Sequence, residues 1–296
     1  MSVQKQITYC ASAAASLAVT LTLSCLSSGA HAHTTVMHTD EMALNRAGDV
    51  DMSIVFTHAT DGGPTMPIEV QSFTQYSGRE IFIEEFDLMD TLTPIQWLDY
   101  VNENDEEVRV DAYSAHIPRD QIRSLGDHQL VLITEPYYDP NDEIYIQQFT
   151  KVIMNVGGAQ TNWYTTLGLP TEIHALKTPY ANWVGETFTG IVLSEGIPVP
   201  FARLEIDYLN YGVDAENAKF ADVPFIAASH PSYKYISMIT NENGEFHFGI
   251  PAAGWWAIAA LGTGPEFRKD DIYLSQDAIL WIYADEVPLT QAGQNQ

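Results

Sequence analysis

Apolar and polar positions alternate with a period of two along most of this chain, a rhythm that predicts strands rather than helices. Short apolar-rich runs at 50–56, 68–73, 80–86, 108–112, 129–134 and 143–156 are separated by turn residues. Asp61-Gly62-Gly63-Pro64, Ser77-Gly78 and Asn102-Glu103-Asn104-Asp105 supply the breaks. Thr93-Pro94-Ile95-Gln96 carries a helix-start pattern, with Thr as cap and Pro at the first position. The turn at 102–105, leading into alternating Val108, Val110 and Ala112, favours a hairpin there instead. Short strands spaced in this way predict an antiparallel sandwich.

Between 157 and 179 the texture changes to Gly and Pro punctuation around a connecting strand at 172–176. A second set of strands follows at 185–193, 201–208, 236–240, 245–250, 255–261 and 278–283. The Asn243-Gly244 pair predicts a type I′ turn, and 214–229 reads as a loop or short helix. Alternation admits only one of the adjacent Trp255 and Trp256 to a core, the other being exposed or at the junction of the two domains. Trp163 and Trp183 are expected to pack two domains together. The predicted fold is therefore all-β, with two consecutive antiparallel β-sandwiches at 33–168 and 169–296. Gly196-Ile197-Pro198-Val199, Asn243-Gly244-Glu245-Phe246 and Pro251-Ala252-Ala253-Gly254-Trp255 give the second one a resemblance to transthyretin-like or carboxypeptidase-regulatory-like domains.

The first 32 residues read differently. A single charge, Lys5, precedes an apolar run over 11–26 that is shorter than the roughly 20 residues of a membrane span. Small residues follow it, so 1–32 is expected to be a cleaved secretory signal. Cleavage after Ala32 leaves His33 first, with an α-amine and an imidazole on one residue. Cleavage after Ala30 leaves His31-Ala32-His33, whose third-place His suits square-planar copper(II) or nickel(II). Both cysteines, Cys10 and Cys25, fall in this segment. The expected mature protein then has no disulfide, no thiolate metal site and no Cys nucleophile.

A net charge of −26 disfavours nucleic acid as a partner and concentrates cations around the protein. Among the histidines, His58 ends the first full strand just before the Gly62-Gly63 turn, at a sheet rim. The amine and ring of His33 with the ring of His58 would form a three-nitrogen clasp suited to nickel, cobalt or copper. His38 and Met66 are candidate variable ligands. His116, His128, His174 and His230 are expected to be structural or superficial, and His247 to face solvent. The acidic run at 139–143 lacks the Gly and Glu that a calcium loop of the twelve-residue type needs. His-Glu-x-x-His, Gly-x-Ser-x-Gly and Walker patterns are absent from the sequence, so no enzyme is expected.

Several blocks in combination carry a resemblance across the expected mature chain. They are Ala30-His31-Ala32-His33, Phe56-Thr57-His58, Gly62-Gly63-Pro64-Thr65-Met66, the run 145–158, Leu167-Gly168-Leu169-Pro170, the run 244–251 and Leu274-Ser275-Gln276-Asp277-Ala278. Together they resemble the exported domain-of-unknown-function family often labelled as the periplasmic component of a cobalt or nickel transport system. The resemblance implies a periplasmic two-sandwich protein associated with nickel or cobalt uptake. It maps the family's terminal His onto His33 and its strand-end His onto His58. Ala59 stands where many relatives have Pro. The expected function is capture of a divalent transition metal and delivery to an uptake system such as an inner-membrane permease. Two alternatives are a non-enzymatic adhesion or carbohydrate-binding protein using its tryptophans, and a copper oxidase using a terminal-His clasp.

Overall fold

The computed structural model describes residues 33–79 and 82–288; the expected signal peptide, its cleavage sites and both cysteines lie outside the described residues. The alternating sequence forms strands throughout. β1 (Thr34–His38), β2 (Ala43–Leu44), β3 (Val50–Thr57) and β4 (Thr65–Met66) come first. The hairpin arms β5 (Val70–Arg79) with β6 (Phe82–Asp87), and β7 (Leu92–Val101) with β8 (Glu107–Ile117), follow. Then come β9 (Gly126–Thr134), β10 (Tyr137–Asp139), β11 (Ile144–Val156), β12 (Thr171–Ala175), β13 (Asn182–Trp183) and β14 (Thr187–Ser194). Next are β15 (Ile197–Pro198), β16 (Arg203–Tyr208), β17 (Tyr211–Asp214), β18 (Lys219–Pro224) and β19 (Ile236–Ile239). β20 (Glu245–Gly249), β21 (Gly254–Ala260), β22 (Arg268–Lys269) and β23 (Ile272–Asp285) complete the set. Two short 3₁₀ turns, Met89–Thr91 and Pro231–Tyr233, are the only helical elements among the described residues.

A 12-stranded sheet runs β19-β16-β21-β23-β11-β9-β5-β6, so strands from both sides of residue 168 share it. The join is the parallel pairing of β11 with β23, from Tyr145↔Leu274 to Val152↔Trp281. Parallel pairs of this kind are buried on both faces and read as continuous apolar runs. Val152-Ile153-Met154 and Ala278-Ile279-Leu280-Trp281-Ile282 are such runs, and all are buried. The boundary expected at 168/169 therefore falls inside one compact unit rather than between separate sheets.

Smaller sheets cover the large one. On one face Trp281 donates its indole N–H to the Thr35 carbonyl at 2.9 Å, and Trp255 meets the His38 ring, so β1 of the β1-β3-β8-β7 sheet lies there. On the other face Phe248 of β20, in the β12-β14-β15 sheet, packs on Trp256 with ring centroids 5.3 Å apart. This layering explains why Trp255 and Trp256 are both buried, neither being left exposed. Alternation sends them to opposite faces, and both faces are covered. Trp183, expected to join two domains, is instead 40% exposed.

Other local expectations change as well. Ser77 and Gly78 continue β5 instead of ending it; a Cβ on Gly78 would lie 2.0 Å from the Phe82 carbonyl oxygen, so the two hairpin arms approach closely there. The stretch read as loop or short helix, 214–229, instead holds the turn and second arm, β18, of the β17–β18 hairpin, and the 3₁₀ turn Pro231–Tyr233 lies just beyond it. At Asn243-Gly244 only Gly244 takes positive φ, which rules out a type I′ turn. The Asn241 side chain closes that turn instead, its Oδ1 accepting the N–H groups of Asn243 and Glu245 at 2.8 and 3.0 Å.

Candidate metal centre

β1 and β3 are antiparallel, with Thr34 opposite Thr57 and Thr35 opposite Phe56. One step further along the same register, His33 comes opposite His58. Their rings lie 4.5 Å apart, centre to centre, tilted by 41°. Residues opposite one another share a face, and alternation puts Phe56 on that face too. The His33 ring also meets Phe56 at 5.6 Å, and Tyr137 stands edge-on to Phe56 at 5.5 Å.

The strand end is fixed by interior side chains. Buried Gln148 of β11 accepts the Thr35 N–H at 2.7 Å and donates to the His33 carbonyl. Thr34 donates its hydroxyl to buried Asp207 at 2.9 Å, and Trp281 holds the Thr35 carbonyl. On the other side, the His58 carbonyl accepts the N–H groups of Asp61 and Gly62 at 3.1 and 3.0 Å, closing the turn foreseen after the strand. Gly62 has φ +70°, the left-handed conformation that glycine takes freely.

Asp139 belongs to this site and was missed in the sequence. It ends β10, which pairs with β11, and its Oδ2 lies 3.6 Å from His33 Nδ1. The side chains of His33 and Asp139 are only 12% and 3% exposed. Its other oxygen accepts the Asn141 N–H at 2.8 Å, so the acidic turn dismissed as a calcium loop aims one carboxylate at an imidazole. The place of Asp139 before Pro140, just past two tyrosines, was the only local hint. Burial lowers the pKa of His33, and the Asp139 charge offsets part of that. The imidazole is thereby kept neutral, the form that ligates metals.

Two sequence candidates sit elsewhere. His38 is at the far end of β1, five residues and about 17 Å along an extended strand from His33. There it packs at a tilt against Trp255, and burial lowers its pKa to about 4. His38 therefore does not join the pair. Met66 is opposite Phe56 across β3 and β4, on the same face as the two rings but diagonal to His58, and is 7% exposed within the core. Among the described residues, no group of three or more His, Cys, Asp and Glu side chains is spaced to hold a metal ion. A third donor at the ring pair would have to come from elsewhere, and a terminal His33 amine would be one. His116 is exposed and bonded to Asp51, and His128 is buried between Gln75 and Ser124. Both are structural, and His247 faces out as expected, bonded to Thr189.

The fold and site thus define an all-β protein of packed, mainly antiparallel sheets, with a paired-imidazole corner at its first strand. The chain belongs to the family described as a domain of unknown function, DUF4198, which matches residues 30–264. No curated protein matches it. Solved structures to which it is similar include the D0-D1 domain of intimin, at 12% identity, covering 85% of this chain and 100% of that one, TM-score 0.19. The Yersinia pseudotuberculosis adhesin InvE is similar at 10% identity, with 86% and 61% covered and a TM-score of 0.23. The tandem V-type regions of VCBP3, a v-region-containing chitin binding protein, are similar at 11% identity, with 83% and 98% covered and a TM-score of 0.23.

Proposed function

We propose that this protein binds a divalent transition metal in the periplasm and delivers it to an uptake system. The observation that supports this is the 4.5 Å approach of the His33 and His58 rings at a strand end braced by Gln148, Asp207 and Trp281. His33 and His58 supply imidazole nitrogens and a free amine on His33 the third, while Asp139 stands beside the His33 ring. Imidazole and amine nitrogens suit nickel, cobalt and copper, and affinity alone ranks copper above nickel above cobalt. The bound ion would supply only its own charge and coordination; the chain orients the rings and keeps His33 neutral.

Isothermal titration of protein beginning at His33 with each metal tests the reading. His33→Ala and His58→Ala are each expected to weaken binding at least tenfold, whereas His38→Ala leaves it unchanged. One alanine added ahead of His33 is expected to weaken binding too, by removing the amine from the chelate. Equal affinity in wild type and His33→Ala would sink the proposal.

A further inference from the structure

The opposite end of β1 leads to a second feature that the paired histidines do not use. A cavity of about 500 Å³ is lined by Asp40, Glu41, Asn182, Trp183, Tyr283 and Asp285, among others. A neighbouring one of about 390 Å³ shares Asp40 and Tyr283 and adds His38 and Trp255. The strand registers put these groups in line. Trp183 of β13 is beside Asp285 of β23. Tyr283, two residues back on β23, shares that face, and Trp255 of β21 is opposite it with rings 5.9 Å apart. Trp183, Asp285 and Tyr283 therefore lie along one wall, and Asp40 lines both cavities.

The groove's charge is of one sign. Among the described residues, no Lys or Arg lines either cavity. His38, with its pKa lowered to about 4 by burial, adds no positive charge at neutral pH.

We propose that this groove binds an organic ammonium ion, an aliphatic amine whose alkyl body lies on the rings of Trp183 and Tyr283. Its N–H groups would meet the carboxylates of Asp285 and Asp40, which line the same cavity. Aromatic faces attract a cation through their quadrupole, and carboxylates beside them hold it by charge. A bare metal ion needs converging ligands at metal spacing, which the described residues do not form here. A neutral sugar would leave the carboxylates without a charged partner. The net charge of −26 further draws cations toward the surface. The site is separate from the His33–His58 pair, so the two readings stand or fall independently.

Titration of the whole chain with putrescine, followed by tryptophan fluorescence and calorimetry, tests the proposal. Saturable one-site binding is expected, weakened at least tenfold by Trp183→Ala and by Asp285→Asn and unchanged by His33→Ala. Magnesium at the same concentration is expected not to displace the amine, and cellobiose not to bind. Both side chains are exposed, and thermal melting confirms that the variants fold; should Trp183→Ala not fold, Asp285→Asn decides alone. The proposal is overturned by the absence of saturable binding, by unchanged affinity in the folded variants, by displacement with magnesium, or by cellobiose binding in place of putrescine.

Discussion

Gln148 accepts the Thr35 N–H at 2.7 Å from inside the protein, joining β11 to β1 across two different sheets. The same amide donates to the His33 carbonyl, so one side chain sets the height of the strand end that carries the candidate ligand. β1 pairs with β3 alone, which leaves these interior bonds to define its position on the other side.

Gln148→Leu would remove both bonds and bury an unanswered N–H and C=O. Each unsatisfied buried group costs about 1–3 kcal/mol, so a loss of about 2–6 kcal/mol in denaturant unfolding is expected. Metal affinity should fall in the same variant, because His33 loses its brace. A variant as stable as wild type would show that water or a neighbouring group replaces Gln148.

Asp207 makes stability depend on pH. Burial raises its pKa to about 7, with the Thr34 hydroxyl pulling it partly back. The folded state therefore holds a proton that the unfolded chain, near 3.8, has lost. The stabilisation is complete below that lower value and disappears as pH rises toward 7. His38, lowered to about 4, acts the other way, favouring the folded state above about 6.5 and losing that advantage as pH falls. Asp207→Asn should isolate the first effect. Its stability relative to wild type is expected to grow by about 2–4 kcal/mol between pH 4 and 7 and then level off. A flat difference across that range would contradict the assignment.

Lys151 and Glu172 form a buried ion pair at 3.1 Å, with side chains 4% and 1% exposed. Glu172 also accepts the N–H groups of Leu167 and Gly168, tying the inter-strand segment to β11. Lys151→Met would strand a buried carboxylate and is expected to cost about 3–5 kcal/mol. Adding Glu172→Gln, which keeps an acceptor but removes the charge, should recover part of that loss. No recovery in the double variant would mean that packing rather than charge dominates.

Gly62 is required by space as well as by backbone angle. A Cβ there would come 2.8 Å from the Tyr211 ring, at φ +70°. Gly62→Ala is expected to destabilise the fold by about 1–3 kcal/mol and to weaken metal binding by moving His58. Gly48, where a Cβ meets nothing within 4 Å, provides the control: Gly48→Ala should leave both thermal melting and calorimetry nearly unchanged.

Local pattern was enough for the all-β class, for most strands, and for the position of His58 at a strand end before a glycine turn. These features depend on side-chain alternation and turn chemistry within a few residues, which the chain displays directly. Which strands pair was not readable. The parallel β11–β23 join merges what read as two sandwiches, and it rests on residues more than a hundred positions apart, as in Gln148↔Asp277. The same limit hid Asp139 beside His33, let His38 pass as a ligand, and left open whether the second of two adjacent tryptophans is buried. Alternation tells which face a side chain takes; what covers that face is settled only when distant segments bury their apolar surface together.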